Sequence, residues 1–260
     1  MPKVRFIGRV IPSAVSVSIN ALPQMKWNDP DSKLEMSFVL KIHNSLIEIE
    51  CDVNRFGADD LVPVYMRAFD LARASVNLVA FALGSGMALI LETMIDPLGT
   101  TTPLVFTDPR LAPLCRSFSI NSSLPDPRFD QVCQFVLTEP PLFFALNDLI
   151  ASITLPHESS VNCARAVERL RNLVASPDLP RKDAWAYFRK SLNISKEYLE
   201  FVTMYSTGPR HGNSTHIPGD ITAELLRRAW IIMDRFLEFR KRGNAVLPVS
   251  EFPILAQDSV

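Results

Sequence analysis

The stretch Glu35–Val53, EMSFVLKIHNSLIEIECDV, contains the clearest secondary-structure signal of the chain. Its second half, Leu46–Val53, alternates apolar and polar residues with the period of two that is typical of a half-buried β-strand. Asn44 and Ser45 separate the two halves and suit a tight hairpin turn. The polar face of the second strand carries three acidic residues: Glu48, Glu50 and Asp52. We therefore predict an antiparallel hairpin with one solvated face.

Further strands are predicted on both sides of this hairpin. They are Val4–Ile7, Ala14–Ile19, Met87–Met94 and Leu104–Phe106. The loop Leu22–Lys33 precedes the hairpin, and the segment Leu61–Leu83 follows it with apolar residues at helical spacing. Residues 1–107 are therefore predicted to form a mixed β-sheet with one long packed helix.

The second part of the chain has a helical pattern. Residues 108–139 contain repeated prolines and are interpreted as a connector, with a short helix at Phe129–Leu137. Residues 140–260 are predicted to form a helical bundle, with helices at Pro141–Ile153, Ser160–Ala175, Pro180–Leu192, Ser195–Thr207 and Asp220–Arg242. The predicted fold class is α+β, with the sheet and the bundle in separate domains.

The composition is that of a globular protein, and its charge is unevenly distributed. Of the 260 residues 47% are hydrophobic and 21% are charged, which excludes wholesale disorder. The net charge of −1 argues against a protein that binds nucleic acid over its whole surface. Residues 1–155 contain 12 Lys and Arg against 16 Asp and Glu, whereas residues 156–242 contain 15 against 10. We therefore expect an anionic partner to bind the second part of the chain.

The chain contains four cysteines, none of them in a C-x-x-C pair or at metal-ligand spacing from a histidine: Cys51, Cys115, Cys133 and Cys163. We interpret them as reduced, mostly buried thiols of a cytoplasmic protein, and we predict no metal site. The N-terminal residues lack the apolar run of a signal peptide. The sequence has no Walker A loop, dinucleotide fingerprint, G-x-S-x-G elbow or H-E-x-x-H motif, so no cofactor is predicted.

No charged residue occurs between Ala74 and Leu91, and this length approaches that of a membrane span. Polar Ser75 and Asn77 and the Gly84–Gly86 turn interrupt the stretch. We therefore predict a buried helix followed by a turn and a strand, and no integral membrane span. Peripheral membrane association through this stretch is a minor alternative.

The loop Gly208–Gly219, GPRHGNSTHIPG, joins two helical segments and holds two of the protein's four histidines. Arg210 can hold a phosphate through paired hydrogen bonds, and His211 and His216 can transfer protons near neutral pH. Together these side chains suffice for RNA cleavage without a metal ion. The alternative interpretation is that Arg210 caps the preceding helix and that both histidines are ordinary loop residues.

Two of the predicted helices carry further candidate residues. In the helix Ser160–Ala175, Arg165 and Glu168 either form ion pairs along the helix or face the loop of Arg210. The last helix carries basic residues that are candidates for contacts with RNA phosphates: Arg227, Arg228 and Arg235.

The pattern of Arg210, a polar residue and His216 within a multi-helix bundle resembles the motif of the HEPN superfamily of prokaryotic helical domains. The resemblance covers about residues 140–242. It implies a metal-independent endoribonuclease that works as a homodimer, with the two motifs in one cleft. Arg210 would then stabilise the phosphate, His216 would act as general acid or base, and His211 would assist.

Two functions of different classes are therefore expected. The first is RNA binding or metal-independent RNA cleavage, with RNA as the partner. The second is a non-catalytic interaction or scaffold protein, whose sheet or bundle binds another protein. The large apolar content and the absence of a strong site motif favour the second.

Overall fold

The computed structural model describes residues 1–12, 16–29, 32–104, 110–120, 126–176, 178–212 and 217–257. The chain divides into two units, Met1–Val105 and Phe106–Val260. The first unit contains a β-sheet and the second is helical. The α+β class predicted from the sequence is therefore confirmed.

The first unit is built on a six-stranded sheet. Its strands are β1 (Lys3–Ile11), β2 (Met25–Asn28), β3 (Glu35–His43), β4 (Leu46–Val53), β5 (Ala88–Ile95) and β6 (Thr101–Pro103). Their order in the sheet is β2-β3-β4-β1-β5-β6. The predicted hairpin is confirmed as β3 and β4, and Asn44 and Ser45 have φ angles of 48° and 64°. Positive φ at both central residues is the geometry of a two-residue type I′ turn.

Every pair of neighbouring strands in this sheet is antiparallel, which corrects the mixed sheet expected from the sequence. Helix α1 (Leu61–Leu83) connects β4 to β5, and these two strands run in the same direction. They do not pair with each other, because β1 lies between them and is antiparallel to both. Helix α1 therefore connects two strands that run in the same direction but are not neighbours in the sheet.

Two other strand predictions differ from the structure. Strand β2 lies within the segment predicted as a loop, and its Trp27 stacks on Arg67 of α1, 4.0 Å from the ring centroid. Of the predicted strand Ala14–Ile19, residues 13–15 lie outside the described part of the chain, and Ile19 forms an isolated bridge with Ile42.

Alternate residues of the central strands are buried against α1. The core of the first unit includes Phe6, Leu40, Ile49, Val64 and Ala72. The polar face is solvated, as predicted. On it, the carboxylates of Glu48 and Glu50 each lie 3.2 Å from a cation of β1, Arg5 and Lys3 respectively.

The second unit contains seven helices within the described residues. They are α2 (Pro127–Thr138), α3 (Pro140–Thr154), α4 (Ser159–Val174), α5 (Arg181–Leu192), α6 (Lys196–Met204), α7 (Thr207–Arg210) and α8 (Gly219–Lys241). The Ser195 hydroxyl accepts a hydrogen bond from the Tyr198 N–H at 3.1 Å and caps α6. Side chains from α3, α4, α5, α6 and α8 share one apolar core, which includes Leu149, Val167, Phe188, Val202 and Phe236.

The segment interpreted as a connector belongs to the helical unit. The boundary between the units lies after Val105, two residues before the predicted end of the first domain. The backbone N–H groups of Arg116 and Ser117 both donate to the Asp234 carboxylate of α8, at 2.8 Å. Helix α2 extends the apolar core with Val132. Of the prolines in the described part of this segment, Pro113 lies in a short 3-10 helix and Pro127 begins α2. A buried carboxylate and an apolar helix face hold these parts of the segment on the bundle.

All four cysteines are free thiols, and Cys51 and Cys163 are buried. Burial raises the pKa of each of these two thiols to about 12. Both therefore stay protonated at neutral pH and behave as small apolar core residues.

Among the described residues, no single helix is long and apolar enough to cross a membrane. Helices α2 and α3 together reach the required length and composition, but they are bent by 107° at the break between them.

Gly8 of β1 lies directly against the backbone of β5. A Cβ atom on Gly8 would lie 2.1 Å from the backbone oxygen of Ile90, beside a register shift between Ile7 and Gly8. We expect Gly8→Ala to destabilise the first unit by about 1–3 kcal/mol, because the backbone of β5 cannot move aside as a side chain can. Urea unfolding measures this loss. Gly86→Ala is the matched control, since a Cβ there meets no described atom within 4 Å. Equal losses in both variants would contradict the prediction.

Candidate functional site

Arg210 is the last residue of α7 and lies beside α4. Its Nη1 donates a hydrogen bond to Oε1 of Glu168 on α4, at 2.9 Å. The two side chains are 28% and 26% exposed, so both are within reach of a ligand from solvent. Of the two α4 residues expected to face this loop, Glu168 does so.

Arg165 instead contacts helix α3. Its Nη2 donates to Oδ1 of Asp148 at 2.8 Å, and Nε of Arg169 donates to the other carboxylate oxygen of Asp148 at 3.0 Å. Asp148 is largely buried, so this pair of arginines links α4 to α3. Arg165 therefore contacts α3, and its role is to link two helices.

His211 follows Arg210 directly and is exposed. Its backbone N–H donates to the oxygen of Gly208 and closes the short helix. His216 lies outside the described residues, together with residues 213–215. The pairing of Arg210 with His216 therefore stays a prediction.

Two of the arginines predicted to bind RNA are inside the bundle, which corrects that prediction. Arg228 is 5% exposed and Arg235 is 7% exposed. The guanidinium of Arg235 donates to the backbone oxygens of Leu192, Asn193 and Pro253, at 2.6–2.8 Å. These contacts leave it no access to a phosphate.

Arg228 is enclosed in the same way by α6, α8 and the C-terminal segment. It lies over the rings of Tyr198 and Phe201, at 4.7 and 4.2 Å from their centroids, and donates to the backbone oxygen of Gln257. Arg227, the third candidate, makes a two-fold hydrogen bond with Glu224, at 2.8 and 3.0 Å. The sequence pattern missed these roles because α8 is the central helix of the unit, so its basic residues meet protein rather than solvent.

Two of the residues predicted from the sequence, Glu168 and Arg210, line cavities. Two adjacent cavities, of about 720 and 540 Å³, lie between α4, α5, α6 and α7. We call them the first and second cavity, and together the basic groove. Both are lined by Glu168, Arg181 and Arg210, so these three side chains stand where the cavities meet.

Cations dominate the lining of the basic groove. Its basic side chains are Arg171, Arg181, Lys182, Arg189, Lys196 and Arg210, and its acidic ones are Glu168 and Glu200. Each acid is already paired, Glu168 with Arg210 and Glu200 with Lys196. Within the described residues the other four cations form no ion pair. The groove therefore has an excess of positive charge that an anion would neutralise.

Arg171 shows the excess of positive charge in the groove most clearly. Its guanidinium lies over the Trp185 ring, 4.5 Å from the centroid, and two of its nitrogens donate to Oδ1 of Asn172. The third, Nη1, is buried and finds no hydrogen-bond partner among the described residues. Burial and the nearby charge of Arg181 lower the pKa of Arg171. An anion in the first cavity, which both arginines line, would relieve the repulsion between the two guanidinium groups.

Neither Arg181 nor Lys182 is among the site residues predicted from the sequence. Arg181 and Lys182 are the first two residues of α5, and Pro180 before them offers no side-chain cap. The positive end of a helix macrodipole disfavours cations there. Arg181 and Lys182 are therefore less favourable for the helix than neutral residues would be, while Asp183 in the same turn is favourable.

The described residues contain no cluster of three or more His, Cys, Asp or Glu side chains that could hold a metal ion. The cationic groups that line the basic groove are guanidinium and ammonium groups. Such groups bind phosphates by charge and by hydrogen bonds. His211 follows the groove residue Arg210 in the sequence.

The fold and the groove define a class of two-domain α+β proteins, in which an antiparallel sheet precedes a helical unit with a basic groove. The N-terminal domain model of DUF8168, described as a domain of unknown function, matches residues 4–105, and the C-terminal domain model matches residues 129–241. Together the two matches span well over half of the chain, so the chain belongs to the DUF8168 family. No curated protein and no solved structure matches it.

The buried role of Arg235 leads to a stability prediction. We expect Arg235→Met to destabilise the helical unit by about 3 kcal/mol or more, because it leaves two buried backbone oxygens and one partly buried backbone oxygen without their charged donor. Lys182→Met, which removes an exposed cation of the groove, should change stability by less than about 0.5 kcal/mol. Thermal unfolding followed by circular dichroism compares the two. Similar melting temperatures for both variants would show that Arg235 is not structural.

Proposed function

We propose that the helical unit binds RNA through the phosphate backbone, which lies in the basic groove. The observation that carries the proposal is a set of four groove cations that form no ion pair with any residue in the described part of the chain: Arg171, Arg181, Lys182 and Arg189. A phosphate backbone supplies the evenly spaced negative charges that such a set neutralises. The resemblance of Arg210, His211 and His216 to the HEPN motif favours RNA among anionic polymers.

The ion pair between Arg210 and Glu168 can rearrange when a ligand binds in the groove. A phosphate between the two cavities would compete with the Glu168 carboxylate for the Arg210 guanidinium. Arginine forms paired, planar hydrogen bonds with phosphate as readily as with carboxylate. Glu168 therefore holds the Arg210 side chain at the groove in the absence of ligand. When a phosphate binds, Arg210 donates hydrogen bonds to the phosphate in place of part of its hydrogen bonding to Glu168.

Lys182 and Lys190 allow a matched test on one helix. Both are exposed lysines of α5, but Lys182 lines the second cavity and Lys190 lines neither. We expect Lys182→Ala to weaken RNA binding and to reduce the slope of log K against log salt concentration by about 0.7, because one phosphate contact is lost. Lys190→Ala should leave both quantities unchanged. Fluorescence anisotropy with a labelled RNA at several salt concentrations measures them.

The binding proposal is wrong if the wild-type protein retains no RNA at low salt. It is also wrong if Lys182→Ala and Lys190→Ala change affinity equally, because binding would then depend on net charge and not on the groove. Arg181→Ala, at the junction of the two cavities, provides a second groove variant with the same expectation as Lys182→Ala.

Metal-independent RNA cleavage is a second candidate function, favoured by the position of exposed His211 directly beside Arg210 at the groove. Wild-type protein should then cleave RNA in the presence of EDTA. The double variant Arg210→Ala/His216→Ala should lose about 100-fold or more of that rate, because it removes a phosphate-stabilising group and a proton-transfer group. Gel analysis of total RNA measures the rate. Cleavage at equal rates by both proteins would assign the activity to a contaminant and refute the motif.

The rival function, a non-catalytic protein interaction, is favoured by a different observation. Apolar side chains at the end of α1 remain exposed: Leu78 by 71%, Phe81 by 89% and Leu83 by 59%. An exposed apolar patch is typical of a protein-binding surface. The absorbance ratio at 260 and 280 nm and the mass by light scattering separate the two functions. RNA carried through purification by a homodimer would support the first, and a protein free of nucleic acid the second.

A further inference from the structure

We propose that the second cavity of the basic groove holds one unpaired RNA base beside the bound phosphate. This inference rests on the proposed RNA-binding function and adds a base subsite to it. The subsite consists of Trp185, Leu199 and Met204, with three hydroxyl side chains: Thr203, Ser206 and Thr207.

The two cavities differ in chemistry. The first is lined by polar and charged groups that include Arg171, Asn172, Arg181 and Arg210, and its apolar lining is Leu179 with two alanines. The second adds an aromatic ring, a leucine and a methionine to its cations. A phosphate needs only the first kind of lining. The apolar wall of the second cavity therefore fits a part of the ligand that is flat and uncharged, as a base is.

Trp185 is held in a fixed orientation. Arg171 covers one region of its ring at 4.5 Å, and Phe188 contacts it edge-on with centroids 5.9 Å apart. A ring that is fixed before binding loses little conformational freedom when a base packs against it. Arg171 also lines the first cavity, so the Arg171–Trp185 stack connects the phosphate side of the groove to the base side.

Arg181 and Arg210 fix the spacing between phosphate and base. Both line both cavities, so a phosphate bound by them lies next to the second cavity. The volume of about 540 Å³ falls within the range of about 300–1,000 Å³ that is common for pockets of small ligands. A base in a duplex is stacked between its neighbours and cannot enter such a pocket, whereas an unpaired base can. The site should therefore prefer single-stranded RNA.

The hydroxyl groups of the second cavity add polar contacts. Ser206 donates to the backbone oxygen of Thr203 at 2.7 Å, and the Thr203 hydroxyl donates to oxygens of its own helix. Their oxygens keep lone pairs that can accept from a ribose hydroxyl or from an amino group of a base. The subsite thus offers acceptors beside an apolar wall, which is the usual composition of a nucleotide pocket.

The test compares three polyanions at equal phosphate concentration: a single-stranded RNA, its duplex and inorganic polyphosphate, which has no bases. Each competes with a labelled single strand in an anisotropy assay on the full chain. Wild-type protein should prefer the single strand over the other two by about fivefold or more, the contribution of one stacked base. Trp185→Leu should reduce single-strand affinity by about the same factor and leave polyphosphate affinity within twofold.

Two further variants keep the test decisive. Trp230→Leu, a tryptophan of α8 that lines neither cavity, is the matched control and should bind like wild type. Met204→Ala is the second subsite variant, since Met204 is 59% exposed and contributes little to the core. It should show the same selective loss as Trp185→Leu, including where Trp185→Leu fails to fold by circular dichroism.

Three outcomes separate the two proposals. Selective loss of single-strand affinity in the subsite variants supports the base subsite. Equal competition by all three polyanions, or wild-type RNA affinity in a folded subsite variant, overturns the subsite and leaves phosphate binding intact. Absence of binding by any polyanion to the wild-type protein overturns both proposals.

Discussion

The helical unit depends on the guanidinium of Arg235, which is buried at the centre of α8. It donates to the last backbone oxygens of α5, at Leu192 and Asn193, and to Pro253 in the C-terminal segment. A cation at this position satisfies carbonyl groups that a helix end leaves free, and it complements the negative end of the macrodipole. The turn between α5 and α6 is thereby fixed to α8. Since α5 and α6 form the walls of the basic groove, this interaction determines its shape.

The C-terminal segment completes the same arrangement. The Asn193 amide donates to the oxygens of Leu247 and Phe252, and Leu255 bridges to Ile194. Arg228 donates to Gln257 a little further along. Three polar side chains of the bundle and the backbone hydrogen bonds of Leu247 and Leu255 thus hold this segment in place. Buried arginines in this unit serve packing and hydrogen bonding, while a different set of cations from α4, α5, α6 and α7 lines the groove: Arg171, Arg181, Lys182, Arg189, Lys196 and Arg210.

Helix α5 separates these two uses of positive charge. Its C-terminal end receives Arg235, where the macrodipole favours a cation, and its N-terminal end carries Arg181 and Lys182, where the macrodipole disfavours them. The first arrangement stabilises the fold. The second is offset in part by Asp183 in the same turn, and an anion bound in the groove would offset it further. The free Nη1 of Arg171 lies at the same end of the groove.

Local sequence patterns determined most of the secondary structure. The alternation in Leu46–Val53, the turn at Asn44–Ser45 and the apolar spacing of Leu61–Leu83 depend on neighbouring residues, so the sequence alone predicts β4, its hairpin and α1. It also predicts that positive charge gathers in the second part of the chain. Only the tertiary structure decided that β1 lies between β4 and β5, that residues 110–120 pack on α8, and which basic residues face solvent. Arg228 and Arg235 look like Arg171 and Arg181 in sequence. Their environments differ because α8 is covered on all sides by helices distant in the chain, a contact pattern that no local period encodes.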